Sequence, residues 1–311
     1  MKAAQINEYG DASVIQINDI AMPSVAEGQV LVKVSAVSLN PFDSAVRSGY
    51  LQEMIPLQLP VTLGGDIAGT ITAVGDGVTH LSVGDKVYGQ ANVVAGNSGA
   101  FAEFAATTGS SIAKIPTSLD LIQAASLPLV GVSALQALTQ HINLKPGQKI
   151  FIHGGGGSIG MVAIQIAKHL GAYVATTATG DAIKHVTSLG TDEVIDYKDR
   201  DFRTILKEYD AVFDTVGGED FTKSLNILKP GSIAVSMAAQ ADATIAKGLD
   251  IQTISQATHV TTEMLDALSK LIEAKIVTPQ IGKVFPFAQI KDAFEARESG
   301  SIQGKVVVEI S

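Results

Sequence analysis

The sequence predicts an α/β protein with two parts, one rich in β-strands and one built on a doubly wound parallel sheet. Up to about Thr117 the chain consists of short β-type segments broken by Gly, Pro and Asn. From about Leu144 strands alternate with amphipathic helices, and a glycine-rich turn separates the first strand of that series from its helix. This alternation indicates right-handed crossovers and a parallel sheet that is covered on both faces.

The composition suits a compact protein with two domains and argues against several classes of partner. Of the 311 residues, 46% are hydrophobic and 17% are charged. No apolar run reaches the ~18–20 residues that cross a bilayer, and the first residues predict a strand rather than a signal peptide. The formal net charge is -9 without a basic stripe, so nucleic acid and anionic membranes are not expected partners. We therefore expect a soluble cytoplasmic protein.

The chain contains no cysteine. The absence of cysteine excludes disulfides, thiolate nucleophiles and cysteine-rich zinc sites. Six histidines remain, and no two are spaced as H-x-x-x-H. We predict that the protein binds no metal.

The β-rich part begins with a strand over residues 1–6. Further strands are predicted over residues 29–35, 69–74 and 86–89, where several segments alternate apolar and polar side chains. Such alternation is typical of half-buried antiparallel strands.

The second part begins with a short apolar strand over residues 149–152. Apolar residues then follow at helical spacing from Ile159 to Leu170, and Gly171 stands where a left-handed helix end is expected. A helix over 183–189, closed by Gly190, lies among strands at 173–176, 193–195, 211–214 and 233–235. The last predicted strand is 305–309.

Residues 155–160 read GGGSIG and match G-x-G-x-x-G. The match follows a predicted strand and opens a helix, the context in which glycines allow a tight turn and the helix N-terminus binds a pyrophosphate. We therefore predict a Rossmann dinucleotide-binding domain rather than a merely flexible loop. The expected contacts to the cofactor come from Gly155, Gly157, Ser158, Ile159 and Gly160.

The cofactor is predicted to be NADPH rather than NADH. NAD sites place Asp or Glu on the ribose about 20 residues after the glycine turn, but residues 175–179 read ATTAT. The missing carboxylate favours a 2′-phosphate, with Lys184 as the nearest cation. Asp181 adds a negative charge nearby, so NADH stays an alternative.

Several short motifs recur in an order and spacing that are specific together. They are NPFD at 40–43, GGDIAG at 64–69, VGDKV at 83–87, AASLPL at 124–129, LKPG at 144–147 and VIDY at 194–197. With the glycine turn they resemble the medium-chain dehydrogenase/reductase superfamily, in its zinc-independent quinone oxidoreductase (zeta-crystallin-like) branch, over nearly the whole chain. The resemblance implies a GroES-like catalytic domain at 1–123 and 270–311 and a Rossmann domain at 124–269.

Two departures from the zinc-dependent members support the zinc-free branch. Those members read G-H-E-x-x-G where this chain has Gly65 in place of the histidine, and C-x-x-D where it has Asn40 in place of the cysteine. A zinc-type alcohol oxidation needs these ligands, so we expect the chain not to perform it.

The resemblance implies that hydride passes from NADPH to a quinone or an α,β-unsaturated carbonyl, with the reactants between the two domains. Two alternatives stay open. One is a reductase of enoyl thioesters or alkenals on the same scaffold, and the other is an NADPH-binding sensor or structural protein with little turnover. A homodimer joined through Rossmann sheet edges is also implied, with residues 251–254 as the candidate edge.

The resemblance also implies roles for single residues. Asn40 would donate an amide N–H to a substrate carbonyl or to the nicotinamide region, unless it only forms a turn before Pro41. Tyr50 would stack on or hydrogen-bond a quinone, and it shares the open role of proton donor with water and the cofactor ribose. Ser133, placed at the start of a helix over 131–138, would hold the nicotinamide. Further expected cofactor contacts are Thr177, Lys184, Tyr197, Val216 and Lys305, the last otherwise a lysine at a strand edge.

Overall fold

The structure is a computed structural model that describes residues 1–310. It divides into two compact units. Unit 1 comprises Met1–Leu129, Val260–Glu273 and residues 279–310, and unit 2 comprises Val130–His259 and Ala274–Thr278. The domain limits expected from the sequence, 1–123 with 270–311 and 124–269, stay a prediction.

The first part of the chain forms eight strands and two short helices. They are β1 (Lys2–Ile6), β2 (Ile15–Asp19), β3 (Gln29–Ser38), α1 (Pro41–Arg47), β4 (Val61–Thr62), β5 (Asp66–Val74), β6 (Lys86–Gln90), β7 (Phe104–Thr108), β8 (Ile112–Lys114) and α2 (Leu121–Ala125). The four strands predicted here are all present, and β3 and β5 are longer than the sequence pattern indicated.

The middle of the chain alternates strands and helices. Its elements are α3 (Pro128–Leu135), which continues into a π-helix (Gln136–His141), and then β9 (Lys149–His153), α4 (Ser158–His169), β10 (Tyr173–Ala178), α5 (Asp181–Ser188), β11 (Glu193–Asp196), α6 (Phe202–Ile205), β12 (Tyr209–Asp214), α7 (Glu219–Ser224), β13 (Leu228–Ser236), α8 (Ala243–Gly248) and β14 (Gln252–Ser255).

The last part of the described chain adds two helices and two strands. They are α9 (Thr262–Glu273), β15 (Ile281–Pro286), α10 (Ile290–Glu298) and β16 (Lys305–Glu309). No helix within residues 1–310 is both long and apolar enough to span a bilayer.

Unit 1 is β-rich. A seven-stranded sheet has the order β15-β16-β3-β5-β6-β8, with β7 paired to β3, and a smaller sheet has the order β2-β1-β4. Pairing is antiparallel except between β15 and β16. Apolar side chains from both sheets, from α10 and from the segment before β7, among them Ile6, Ile67, Phe294 and Phe101, form one buried cluster.

Unit 2 contains a parallel sheet in the order β11-β10-β9-β12-β13-β14. The strand order reverses between β9 and β12, which is the point where doubly wound sheets bind ligands at the carboxyl ends of their strands. The predicted fold, a Rossmann sheet together with a β-rich GroES-like domain, is confirmed.

Helix α4 shows how the local sequence sets an element of this sheet. Its residues Gly160 to Ala167 are buried, and Lys168 and His169 lie in the last turn, where cations are favourable beside the free carbonyls. Gly171 has φ +80°, the left-handed conformation that ends a helix. The helix predicted over 183–189 is also present as α5, shifted by one or two residues.

Candidate functional site

The glycine-rich turn connects β9 to α4 at the point where the strand order reverses. Gly154 has φ +87°, so a side chain at this position would be strained. A Cβ on Gly155 would overlap the side chain of Thr176, and a Cβ on Gly160 would overlap the carbonyl oxygen of Gly154. Glycine at these positions therefore lets the turn lie against β10 and lets the helix begin close to the turn.

The turn fits the diphosphate of a dinucleotide. Gly157 is the N-cap of α4 and is extended, and the helix begins at Ser158. The N–H groups of Ser158, Ile159 and Gly160 lie in the first turn of the helix, where no preceding helical carbonyl is available to them. Donors in this position, together with the helix dipole, bind phosphate.

The ends of β10 and β11 bring together two of the predicted cofactor contacts, Thr177 and Tyr197. Thr177 and Ala178 pair with Ile195 and Asp196 across these parallel strands, and Tyr197 follows directly. Thr177 is buried, and its Oγ1 accepts a hydrogen bond from the N–H of Gly154 at 2.9 Å. The hydroxyl of Thr177 therefore holds the start of the glycine turn against the end of β10.

Three predicted cofactor residues of unit 2 are exposed. Tyr197 and Val216 are more than half exposed, and Lys184 lies on the exposed side of α5. Sequence reasoning passed over two further cations, Lys198 and Arg200, which are exposed in the turn after β11. The side-chain Nη2 of Arg200 donates to the carbonyl oxygen of Val194 at 3.3 Å.

Ser133 lies in the middle of a helix and not at its start. The helix predicted over 131–138 begins instead at Pro128, where the proline fits the first helical turn. Ser133 is fully buried, and its hydroxyl shares a hydrogen bond of 2.7 Å with the hydroxyl of Thr258. Its proposed contact with the nicotinamide stays a prediction.

Asp214 is the centre of a hydrogen-bond network that the sequence did not reveal. Its carboxylate lies 3.0 Å from Nδ1 of His153 and accepts from the hydroxyl of Ser236 at 2.5 Å. It also accepts from the N–H groups of Val216 and Gly217. The network ties the carboxyl ends of β9, β12 and β13 to the turn that carries Val216.

The three side chains of this network are not a hydrolytic triad. In such a triad the histidine lies between the acid and the serine, whereas here Asp214 lies between Ser236 and His153. Burial alone would raise the pKa of Asp214, but hydrogen bonds from His153, Ser236, Gly217 and Val216 outweigh it and lower the pKa. Asp214 therefore stays ionised and holds the turn in place.

The amide of Asn40 is the centre of a buried cluster in unit 1. Its Nδ2 donates to Oδ2 of Asp66 at 2.9 Å, and its Oδ1 accepts from Nζ of Lys305 at 2.6 Å. Asn40 is the N-cap of α1, where Pro41 is the first helical residue, and the carboxylate of Asp43 accepts the N–H of Asn40 at 2.7 Å. The carboxylate of Asp43 thus orients the backbone at the start of α1.

Lys305 and Asp66 are both buried. Nζ of Lys305 also donates to the carbonyl oxygen of Leu39 at 2.8 Å and lies 3.9 Å from Oδ2 of Asp66. Lys305 begins β16, which is an interior strand of its sheet, so the strand-edge alternative is wrong. Its predicted contact with the cofactor stays a prediction.

Burial of charge changes two pKa values in this cluster. Burial raises the pKa of Asp43 to about 7, because loss of water around the carboxylate outweighs the hydrogen bond from Asn40. Burial likewise lowers the pKa of Lys305 to about 8, against the opposing effect of Asp66 and Asp43. Both groups thus change charge close to neutral pH.

Tyr50, the other predicted catalytic residue, is 84% exposed. It follows Gly49, which has φ +76° and closes the turn after α1. Within residues 1–310, no group of three or more His, Asp or Glu side chains is arranged to hold a metal ion.

Comparison with known families identifies both parts of the chain. Residues 26–117 match the family described as alcohol dehydrogenase GroES-like domain, and residues 189–308 match the family described as zinc-binding dehydrogenase. The second description names zinc, although this chain has Asn40 and Gly65 where zinc-dependent members carry ligands.

Individual relatives cover the full chain. A chloroplastic NADPH-dependent alkenal/one oxidoreductase of Arabidopsis thaliana is 33% identical over 99% of this chain and 79% of its own length. A quinone oxidoreductase of Coxiella burnetii is 32% identical, with a TM-score of 0.92 and coverage of 100% and 99% of the two chains. A mycobacterial protein solved in complex with NADPH is 28% identical, with a TM-score of 0.89 over the whole of both chains. The chain therefore belongs to the medium-chain dehydrogenase/reductase superfamily and groups with its quinone oxidoreductases and alkenal reductases.

Proposed function

We propose that the protein is an oxidoreductase that transfers hydride from NADPH to a quinone or an α,β-unsaturated carbonyl compound without a metal. The observation that carries the proposal is the glycine turn opening α4, whose N–H groups fit a dinucleotide diphosphate. The substrate class is supported by the relatives, one named for alkenals and alkenones and another for quinones.

Unit 2 provides the groups that would hold the cofactor. Gly155, Gly157, Ser158, Ile159 and Gly160 supply the turn and its N–H donors to the diphosphate. Thr177, Lys184, Tyr197 and Val216 would contact the parts of the cofactor on either side of the diphosphate, and Ser133 the nicotinamide. When bound, NADPH supplies the hydride, that is, one hydrogen nucleus and two electrons.

Unit 1 provides the group that would face the reacting carbonyl. A primary amide has two N–H donors, and the bond from Asn40 to Asp66 uses one of them. The other N–H would donate to the carbonyl oxygen of the acceptor, where negative charge collects when hydride adds to the conjugated system. A proton from water then completes the reduction, and Tyr50 is an alternative source of that proton.

A metal-free reaction is supported by the identity of the side chains at the zinc positions. Asn40 and Gly65 offer neither a thiolate nor an imidazole, and the chain has no cysteine with which to build either kind of zinc site. Quinones and enones do not require a Lewis acid because conjugation spreads the incoming charge onto oxygen.

The test is the consumption of NADPH and of NADH with 9,10-phenanthrenequinone, 1,4-benzoquinone and 2-hexenal as acceptors, before and after dialysis against a chelator. We expect reduction of at least one acceptor, a preference for NADPH, and no loss after dialysis. Tight NADPH binding without turnover of any acceptor would contradict the proposal and favour a binding protein. Equal or better use of NADH would overturn the cofactor preference.

We propose in addition a homodimer formed through β14, and a cytoplasmic location as the sequence predicted. The strand Gln252–Ser255 is the last of its sheet in the described chain, as expected for residues 251–254, and its side chains Gln252 and Ser255 are exposed. Lysine at both exposed positions (Q252K/S255K) would oppose like charges across a two-fold edge. Light scattering should then give the dimer mass for the parent and the monomer mass for this variant, and a monomeric parent would contradict the dimer.

A further inference from the structure

The geometry around Asn40 fixes the orientation of its amide. Lys305 can only donate a hydrogen bond and the Asp66 carboxylate can only accept one. Oδ1 must therefore face Nζ of Lys305, and Nδ2 must face Oδ2 of Asp66. Both contacts are buried, since Asn40, Asp66 and Lys305 are at most 4% exposed.

A cation at the oxygen of an amide changes what its nitrogen can do. The Lys305 ammonium at 2.6 Å from Oδ1 draws electron density toward the oxygen, and this makes the N–H groups of Asn40 stronger donors. Because the site is shielded from water, the effect is larger than it would be at a surface. One of these N–H groups is held by Asp66, and the other remains for a ligand.

We propose that Lys305 is a positioning residue that orients and polarises the Asn40 amide, so that Asn40 stabilises the negative carbonyl oxygen of the acceptor in place of a metal. This inference rests on the proposed function. It has Lys305 act through the Asn40 amide and not by contact with the cofactor. Hydride adds to the conjugated carbon, the displaced electron pair moves to the carbonyl oxygen, and water supplies the proton. Lys305 keeps its own proton throughout.

The charged groups that act on Lys305 come from three elements. Asp66 at the start of β5 and Asp43 in α1 favour the ammonium, whereas Arg297 in α10 and burial disfavour it. Since the pKa of Lys305 lies at about 8, the ammonium is lost as the pH rises through that value. We expect kcat to fall over the same range.

A double-mutant cycle tests whether Lys305 acts through Asn40. K305M should lower kcat for the acceptor by about 10- to 100-fold, less than the roughly 100- to 1000-fold that follows removal of a whole oxyanion donor, while the Kd of NADPH changes less than about twofold. In the N40A background the same K305M substitution should cost less than about threefold, because the group that it acts on is gone. K283M on the neighbouring strand β15 replaces an exposed lysine of the same unit and should leave kcat unchanged.

K305Q tests the effect of the charge of Lys305 separately from its hydrogen bond. It also keeps the proposal testable if K305M does not fold. Glutamine keeps an N–H donor for Oδ1 of Asn40 but has no charge to lose. We expect K305Q to bind NADPH normally, to be slower than the parent and to lack the decline in kcat above about pH 8. A K305Q variant with the parental pH profile would overturn the proposal.

Binding of 4-nitrophenol tests the proposal without any catalytic turnover. Its phenolate is coloured and resembles the negative oxygen of the reduced acceptor. The complex of the parent with NADP⁺ should bind the phenolate and lower the apparent pKa of the phenol, and K305M and N40A should both abolish this shift. If the parent reduces an acceptor but the two substitutions act independently, this proposal fails and the proposed function stands. If the parent reduces no acceptor, both fail.

Discussion

At the scale of single residues, Asp43 is a buried carboxylate whose loss of hydration is only partly offset by the hydrogen bond from Asn40. Burial raises its pKa from 3.8 to about 7, and the nearby Asp66 contributes in the same direction. A carboxyl whose pKa is higher in the folded protein binds protons there that the unfolded chain releases. Its contribution to stability is complete below the unfolded pKa and is lost as the pH rises to about 7.

Replacement of this carboxyl by an amide should remove that dependence. The amide in D43N keeps an oxygen that accepts the N–H of Asn40 and carries no charge. We expect the free energy of unfolding of D43N, relative to the parent, to rise by about 1 kcal/mol or more between about pH 4 and about pH 7. Urea unfolding at several pH values measures this, and a constant difference would contradict the raised pKa.

Asp214 is also a buried carboxylate, but hydrogen-bond donors surround it and lower its pKa, whereas the pKa of Asp43 is raised. In D214N the new amide group would place its own N–H against the donors from Ser236, Val216 or Gly217, and at least one donor would lose its partner. We expect a loss of about 2–3 kcal/mol in the free energy of unfolding. D220N, at an exposed position on α7, is the matched control and should change stability by less than about 0.5 kcal/mol.

At the scale of elements, the connection from β9 to α4 depends on Gly160 having no side chain. A methyl group there would overlap the carbonyl oxygen of Gly154, so the helix would have to move away from the turn. The N–H groups of Ser158 and Ile159 would move with it. Because these N–H groups would bind the diphosphate, the substitution should weaken cofactor binding.

We therefore expect G160A to weaken NADPH binding by at least about tenfold, a change of about 1.4 kcal/mol. Fluorescence titration with NADPH measures this directly. G248A is the matched control, since Gly248 ends α8 in the same unit and a Cβ there would meet no atom within 4 Å. Unchanged NADPH affinity in G160A would remove the assignment of this turn to the diphosphate.

At the scale of the whole molecule, what the sequence predicted correctly is mostly what is encoded locally. The glycine turn, the helix after it and the last strand are read from runs of neighbouring residues, and each is present. Ser133 was misplaced because an apolar run does not mark its own start, and the helix begins earlier, at Pro128.

The clusters around Asn40 and Asp214 were out of reach for a different reason. Lys305 meets Asn40 across 265 positions of sequence, and His153 meets Asp214 across 61. Periodicity carries no signal over such distances. The sequence singled out Asn40 and Lys305 separately, but only the fold brings Lys305 to Oδ1 of Asn40 or places Asp214 between Ser236 and His153.

The preference for NADPH over NADH can be measured from the melting temperature of the whole protein with each cofactor bound. A ligand that binds only the folded state stabilises it by about 2.7 kcal/mol at about 100 times its Kd. The end of β10 has Thr177 and no carboxylate, and Lys184, Lys198 and Arg200 supply cations in α5 and after β11. NADPH should therefore raise the melting temperature by about 5 °C or more, and NADH at the same concentration by less. Neither should shift G160A as far as the parent, and an equal shift by both cofactors in the parent would show that the 2′-phosphate is not recognised.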